Sequence, residues 1–530
     1  MKTDFLTHCP ATGHHTSSNS HPTLASSPQA SPHTGIKRLK LSVLAAMTVT
    51  ALAACSSLPA AQSDTDNKAA RPAVSSADTH FADDDSRHEY QLDNGLKVII
   101  KEDHRAPVAM TQIWYGVGST DEPKDKGGIS HLLEHMMFKG TKKVSGADFD
   151  RLIAKFGGDH NAFTSYDYTG YYEMFPVNRL DLALELESDR MVNLRFDSDE
   201  FVQEFAQERN VVMEERRQRT DDNPLARAFE KFRKMALPDS PKGESVIGPM
   251  DEIANTDIKD LQQWYDTWYA PNNATLVIVG DVNPKETLKK VEHYFGSIKH
   301  KPIPQRPSVQ QQAFRGYQQQ TVKETVNVPT LIMAFNVPTL PSAITANSSD
   351  KEVYELLMLQ YIMDGGYAAR FEKNLVRKQG LLASVVAYYD AYERGDGLFM
   401  VQATPREGVS LAQAQKAIID EMDTLKTQTI SKQELERARN NAINGFVFSQ
   451  DSMAGQANMI GSLQVRGLDD RLVTTLPDKL AKVTSADVNA AASKYLVNNN
   501  LNVMYVEPGD TRSVLPASNS MPDQPMPAKP

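Results

Sequence analysis

The chain has 530 residues, 40% of them hydrophobic and 23% charged, with a formal net charge of −10 at pH 7. That length suffices for roughly two to four domains with sizeable cores, and the composition is that of an ordinary globular protein. An acidic chain without a basic patch is a poor nucleic-acid binder, and only two cysteines, Cys9 and Cys55, leave no basis for a disulfide framework.

Residues 1–35 are rich in Ser, His, Thr and Pro, lack any periodic pattern, and hold five of the thirteen histidines. They read as disordered, or as sequence upstream of the true start. Lys37-Arg-Leu-Lys40 then precedes an apolar run, Leu41 to Ala54, that ends Leu52-Ala-Ala-Cys55. A basic flank, a run too short to span a bilayer and small residues before the break make a secretory signal. The ending resembles a bacterial lipoprotein signal, cleaved before a cysteine that is then acylated, so Cys55 is the expected lipidation site. Several acyl chains, at about 0.8 kcal/mol per buried methylene, would hold the protein firmly on a membrane. Ser56 after the cysteine fits sorting to the outer membrane, facing the periplasm of a bacterial envelope. Residues 1–54 are thus an N-terminal extension and lipoprotein-type signal, and 55–86 are the acylated cysteine and a polar tether. Removing 1–54 takes away four basic and one acidic side chain and moves the charge from −10 to −13.

The most informative stretch is His131-Leu-Leu-Glu-His135. On a helix, positions i, i+3 and i+4 share a face, so His131 and His135 can grip one metal ion while Glu134 stands beside them. Two imidazoles suit zinc, and a carboxylate beside zinc-bound water suits proton abstraction. This is the inverted form of the His-Glu-x-x-His motif. After the Gly157-Gly158 turn, Asn161-Ala-Phe-Thr-Ser165 reads as a short strand. His160 precedes it, lacks a helical partner, and reads as a loop histidine.

Catalytic zinc usually has three protein ligands, so another is expected. Phe201 to Arg217 is a helical candidate. At about 100° per residue, Phe201, Phe205 and Val212 share an arc with Glu208 and Glu215, whereas Glu214 falls opposite, with Gln207 and Asn210. Carboxylates on an apolar stripe are costly unless they are paired or bind metal. Glu208 and Glu215 therefore have a reason to be there, and Glu214 reads as solvated.

Further along, Asp260 to Tyr269 followed by Asn272-Asn-Ala-Thr-Leu-Val-Ile-Val resembles Asp487 to Tyr495 followed by Asn498-Asn-Asn-Leu-Asn-Val-Met-Tyr, at an offset of 226 to 227 residues. Each half ends in an amphipathic helix, an Asn-rich turn and a buried strand. The Pro- and Gln-rich residues 301–320 are the expected linker, and the Pro-rich residues 507–530 a disordered tail.

His131-x-x-Glu134-His135 with Glu208-Arg-Asn-Val-Val-Met-Glu-Glu215 about eighty residues later resembles the pitrilysin/insulinase family of zinc peptidases, in particular the mitochondrial processing peptidases and their bacterial relatives. Leu92-Asp-Asn-Gly-Leu-Lys-Val, Gly127 to Thr141, Gly157 to Thr164 and Tyr269 to Asp281 follow the family pattern too. The resemblance spans roughly residues 87–506. It implies an α+β fold of two homologous domains, each a mostly antiparallel β-sheet packed with α-helices, enclosing a peptide cleft. The catalytic zinc-peptidase domain is expected over 87–300 and a homologous non-catalytic domain over 321–506. His131, His135 and Glu215 are implied as ligands of one zinc ion per chain, Glu134 as the general base, and Glu208 as the carboxylate that orients a ligand. The strand at Asn161 would be a sheet edge that receives unfolded peptide as an added strand, with Asn161 and Ala162 touching substrate.

One departure stands out. Family members carry a substrate-clamping Arg and Tyr seven residues apart around a Gly-Leu pair. Aligning Gly380-Leu381 with that pair puts Val376 at the Arg position and Ala383 at the Tyr position. Either Arg377 with Tyr388 or Tyr389 substitutes after a local shift, or a homologous zinc-less partner subunit supplies the clamp; a homodimer is the other assembly expected. The competing functional readings are a non-catalytic, peptide-binding or chaperone-like envelope lipoprotein, and a lipoprotein whose metal only ties two helices together.

Overall fold

The computed structural model describes residues 84–309 and 314–509. The expected leader, Cys55, nearly all of the tether and the end of the tail lie outside the described residues. Among the described residues no helix is long and apolar enough to cross a membrane.

Two sheets organise the chain. The first contains β1 (Arg87–Gln91), β2 (Lys97–Glu102), β3 (Val108–Tyr115), β4 (Asp159–Thr164), β5 (Thr169–Pro176) and β6 (Ala274–Gly280), in the order β1-β2-β6-β3-β5-β4. The second contains β7 (Gln318–Glu324), β8 (Thr330–Val337), β9 (Leu382–Tyr388), β10 (Gly397–Pro405) and β11 (Leu501–Pro508), in the order β7-β11-β8-β10-β9. Without β1, the first order maps onto the second strand for strand. In both sheets the pairing is antiparallel except at one place, β2 with β6 and β7 with β11. The α+β class and the repeated architecture match the expectation from sequence.

Helices of the first half are α1 (Ile129–Met136), α2 (Gly146–Lys155), α3 (Leu180–Val192), α4 (Asp199–Arg216), α5 (Pro224–Ala236), α6 (Met250–Asn255), α7 (Ile258–Trp268) and α8 (Pro284–Phe295). Those of the second are α9 (Leu340–Thr345), α10 (Lys351–Met363), α11 (Leu411–Thr427), α12 (Lys432–Ser449), α13 (Met453–Val465), α14 (Leu472–Ala481) and α15 (Ser485–Tyr495). The repeat is local as well as topological. Both α7 and α15 open on a capping box, Asp257 with Asp260 and Thr484 with Asp487, which satisfies the free N–H groups of the first turn. Both lead through a short Asn-containing turn into a buried strand, and α15 and β11 each begin 227 residues after α7 and β6.

Strand boundaries depart slightly from the expectation. β7 begins at Gln318, inside the expected linker, because its polar residues gain a parallel partner in β11. For the same reason β11 runs on to Pro508. Tertiary pairing overrides the poor strand propensity of a Gln-rich run. His160 also lies in β4 and not in a loop, paired with Glu173 of β5.

The central strands are buried on both faces. In β6, Leu276 and Ile278 join the core made with α1, α4, α7 and α8, while Val277 and Val279 face the other way. That second face is covered by α13, a helix of the second half, through Ala457 and Ile460. The reverse also holds: Ile332 and Ala334 of β8 pack with Ala228, Phe232 and Ala236 of α5, a helix of the first half. Polar contacts fix both placements. Asn458 Oδ1 on α13 accepts from Gln112 Nε2 at 2.8 Å and Gln456 Nε2 donates to Asp103 Oδ2 at 2.9 Å, while Lys231 Nζ on α5 meets Glu324 Oε1 of β7 at 2.9 Å.

Gly461 sets how closely α13 approaches. A Cβ there would lie 2.1 Å from Nε1 of Trp114, a fully buried ring of β3. Gly461→Val is therefore expected to destabilise the protein by about 1–3 kcal/mol through overpacking, although valine is the better helix former. Thermal unfolding checks this; an unchanged or raised midpoint would show that α13 does not rest on Trp114.

Candidate active site

Helix α1 carries three of the site groups, and its start is unusual. Gly128 is its N-cap, with φ +88°, and a Cβ there would sit 2.3 Å from the carbonyl of Ile247, so both backbone and space require glycine. With no capping side chain of its own, the helix end is satisfied by two carboxylates. Glu122 accepts from Gly128 N and Ser130 N at 2.8 Å each, and Glu252 of α6 accepts from Gly127 N at 2.6 Å. Negative groups at this end also suit the helix dipole. Ile129, Leu132, Leu133 and Met136 bury the core face, which leaves His131, Glu134 and His135 facing α4 and β4.

The long helix α4, capped by Ser198, brings Glu208 and Glu215 to the same place. Nε2 of His135 lies 3.3 Å from Oε2 of Glu215, and Nε2 of His131 lies 3.8 Å from the same oxygen. These three side chains form the one group found among the described residues with ligand atoms mutually close enough to hold a metal, all within 4.8 Å. Zinc bonds of about 2.0–2.1 Å in a tetrahedron put ligand atoms about 3.3 Å apart; the His135–Glu215 separation equals that, and the His131–Glu215 separation is wider. His135 Nε2 is also buried without a hydrogen-bond partner, as an atom reserved for a metal would be. Glu208 Oε1 sits 2.8 Å from His135 Nδ1, and its other oxygen meets Lys139 Nζ at 2.5 Å, so the imidazole is held with Nε2 toward Glu215. Glu215 Oε1 is met by Arg219 Nη1 at 2.6 Å. Glu214 points away and pairs on the surface with Arg217 at 2.9 Å.

Burial and neighbouring charge act on the protonation of these side chains. Burial, with the charge of His135 nearby, lowers His131 to about 3, so its imidazole is neutral. Burial also opposes charge on His135, but Glu208 and Glu215 outweigh it and raise that group to about 10. Glu215 is lowered to about 2: burial works against its charge, and His135 and His131 overcome it. Burial raises Glu134 to about 7, despite His135 and a 2.5 Å hydrogen bond from Thr164 Oγ1 to its Oε2. A carboxyl group near 7 can both take and give a proton at neutral pH.

A cavity of about 450 Å³ opens from this cluster. His131, Glu134, Thr164, Tyr166 and Arg219 are on its wall, and Gln402 of β10 is the second half's contribution. β4 is the edge strand of its sheet, with Asn161 opposite Tyr172 and Ala162 opposite Tyr171 on β5. His160 stands apart from the metal-type cluster: its Nε2 faces Asp150 at 3.4 Å and its ring lies between Phe138 and Phe149. Arg377 does not line the cavity. Its guanidinium stacks 3.6 Å over Tyr367 and donates to the Tyr367 carbonyl. Tyr389 is buried with its hydroxyl on the Pro338 carbonyl, and neither it nor Tyr388 borders the cavity.

Sequence reasoning gave no role to Thr164, Lys139 or Arg219. Arg219 carries a legible signal, four residues after Glu215 on one helical face. Thr164 and Lys139 reach the site only through strand pairing and the turn after α1.

Two repeated α+β halves, one of them bearing a histidine pair faced by a glutamate from a second helix, define the architecture of the inverted-motif metallopeptidases. Comparison with known proteins narrows this. The sequence pattern of the insulinase (peptidase family M16) domain matches residues 97–250, and that of the peptidase M16 inactive domain matches residues 255–442. The chain belongs to this family, the pitrilysin/insulinase peptidases. It is 29% identical over 428 residues to a Helicobacter pylori protein named zinc protease PqqE, covering 80% of this chain and 93% of the relative. It is 24% identical over 430 residues to a probable mitochondrial-processing peptidase subunit beta of Arabidopsis thaliana, covering 79% and 77%. The crystal structure of a protease from Helicobacter pylori superposes with a TM-score of 0.73 at 27% identity, over 80% of this chain and 99% of that one. The first half of the periplasmic protease PqqL from Escherichia coli has the same fold, with a TM-score of 0.68 at 20% identity over 80% and 92%.

Proposed function

We propose that the protein is a zinc endopeptidase acting on unfolded peptides or protein segments. The observation that carries the reading is the convergence of His131, His135 and Glu215 beside Glu134, at the head of a cavity bordered by an edge strand. His131, His135 and Glu215 would hold one zinc ion per chain. Zinc there supplies Lewis acidity toward the scissile carbonyl and the attacking water. Glu134 takes a proton from that water and passes it to the leaving amine. Thr164 fixes one oxygen of that carboxylate. Glu208, itself held by Lys139, keeps His135 turned to the ion. Substrate would lie along β4 as an added strand, with Asn161 and Ala162 in contact, so that main-chain hydrogen bonds give affinity without demanding one sequence. The relatives' printed names, zinc protease and processing peptidase, support this reading.

Glu134→Gln keeps the shape of the site and removes the base. It is expected to bind about one zinc per chain and to lose peptide hydrolysis by at least about a hundredfold. Metal analysis alongside a fluorogenic peptide assay checks both, and full turnover in the variant would remove Glu134 from the mechanism.

Val376 and Ala383 occupy the positions where the family's Arg/Tyr clamp is expected, and Arg377 is engaged with Tyr367. We therefore assign the clamp to a homologous, zinc-less partner subunit. Purified alone, the chain should hydrolyse peptides weakly, with turnover restored by such a homologue; full activity from a monomer would refute the division of labour.

The lipoprotein-type leader and the periplasmic location in the name of PqqL support an envelope location through acylated Cys55. Cys55→Ser should move the protein from the membrane fraction to the soluble fraction on cell fractionation, and unchanged retention would defeat the anchor.

A further inference from the structure

The turn between β4 and β5 is a part of the cavity wall that the second half grips. Its residues Ser165 and Tyr166 line the cavity, and Thr164 just before it bonds Glu134. On one side the turn is tied to the first half by backbone: Ser119 N donates to Ser165 O at 3.1 Å and Thr120 N to Tyr166 O at 2.9 Å. On the other side it ends in Asp167, a fully buried carboxylate with no first-half cation among its hydrogen-bond partners. Asp167 Oδ2 accepts from the backbone N of Arg394 at 2.9 Å and from Arg466 Nε at 3.3 Å. Arg394 lies in the β9–β10 connection, and Arg466 is the residue immediately after α13. Arg466 also lies over the ring of Tyr168, 5.1 Å from its centroid. Arg306, from the segment joining the halves, donates to the Asp167 carbonyl at 2.6 Å.

The guanidinium groups of Arg306 and Arg394 also engage a second carboxylate. Asp121, buried beside Gly118, is met by Arg306 Nη2 at 2.6 Å and Arg394 Nη1 at 2.8 Å. Burial works to raise the Asp167 carboxyl, yet Lys242, Arg466 and Arg394 together hold it below its ordinary value, so it is ionised. A buried charge whose hydrogen bonds come from the second half, with Lys242 of the first half adding its field, is costly to leave unpaired and sensitive to where its partners stand.

We propose that Asp167 is a positioning residue, through which Arg466 and Arg394 of the second half hold the β4–β5 turn so that edge strand β4 and Thr164 stand correctly for substrate. The role of β4 as substrate edge rests on the peptidase reading; the grip on the turn does not. The half without a metal motif thereby acts on the site through the end of α13, the helix packed against the first sheet.

The test uses the full chain carrying Asp167→Asn, and separately Arg466→Gln and Arg466→Lys. Hydrogen exchange followed by mass spectrometry should show faster exchange in peptides covering residues 159–169 with the rest of the chain near wild type. In peptide hydrolysis, KM should rise roughly tenfold with kcat and zinc content little changed, a misplacement effect. Arg466→Gln should match Asp167→Asn, and Arg466→Lys, which keeps the charge, should recover much of the loss. Unchanged exchange and KM in both Asp167→Asn and Arg466→Gln would overturn the inference, as would exchange raised uniformly across the chain. Absence of hydrolysis in the wild type even with the homologous partner added would instead sink the peptidase reading, and the exchange at 159–169 would still decide the positioning role.

Discussion

Two strands that are apolar on both faces dictate the rest of the architecture. β6 and β8 are buried along their whole length, so each sheet needs cover on both sides. The helices with which each half builds its own main core lie on one face of its sheet. The second face is covered by exchange: α5 crosses to the second sheet and α13 to the first. Separating the halves would expose Trp114, Val277 and Val279 on one side and Ile332, Phe232 and Met504 on the other, each worth about 1.5–3 kcal/mol when buried. The segment from 301 to 317 is therefore not what holds the halves together. Its residues 301–309 are themselves fastened, with Arg306 on Asp121 and Lys301 N donating to Asn272 Oδ1.

The candidate site follows from that scaffold. α1 is short and has no capping side chain, so its placement depends on Glu122 and Glu252 in front and on a buried charge group behind. There Arg190 lies among the rings of Phe138, Phe149 and Tyr171 and pairs with both Glu173 and Glu187. Two buried carboxylates around one guanidinium cannot both ionise cheaply, and Glu173 is raised well above its usual value by burial and by Glu187. Phe138 ties this group directly to the end of the helix that carries His131 and His135. The site is thus positioned by groups with no part in its chemistry.

Much of this was legible in the sequence because it depends on period. The i, i+3, i+4 spacing of His131, Glu134 and His135 and the heptad separation of Glu208 from Glu215 survive folding unchanged, and the same wheel correctly put Glu214 outside. The repeat of α7–β6 in α15–β11 was visible because caps, turns and buried strands are local. What was not legible depends on partners distant in sequence. Gln318 to Gln320 read as linker until β11 pairs with them. His160 read as a loop residue until β5 pairs with it. Nothing in the pattern of α5 or α13 says that its apolar face belongs to the other half's sheet. Gly461 was silent for the same reason, since its meaning lies in Trp114, 347 positions earlier in the chain.

The geometry also bears on whether a metal here would be structural or reactive. Structural zinc sites are closed by four protein ligands, whereas reactive ones keep a position open. Glu134 is fixed beside the cluster by Thr164, whose hydroxyl donates to one of its oxygens at 2.5 Å. Glu208 is similarly committed, to His135 Nδ1 and Lys139. Three ligand-type side chains remain, with ligand atoms within 4.8 Å of one another, and the cavity lies along the side where Glu134 and Arg219 stand.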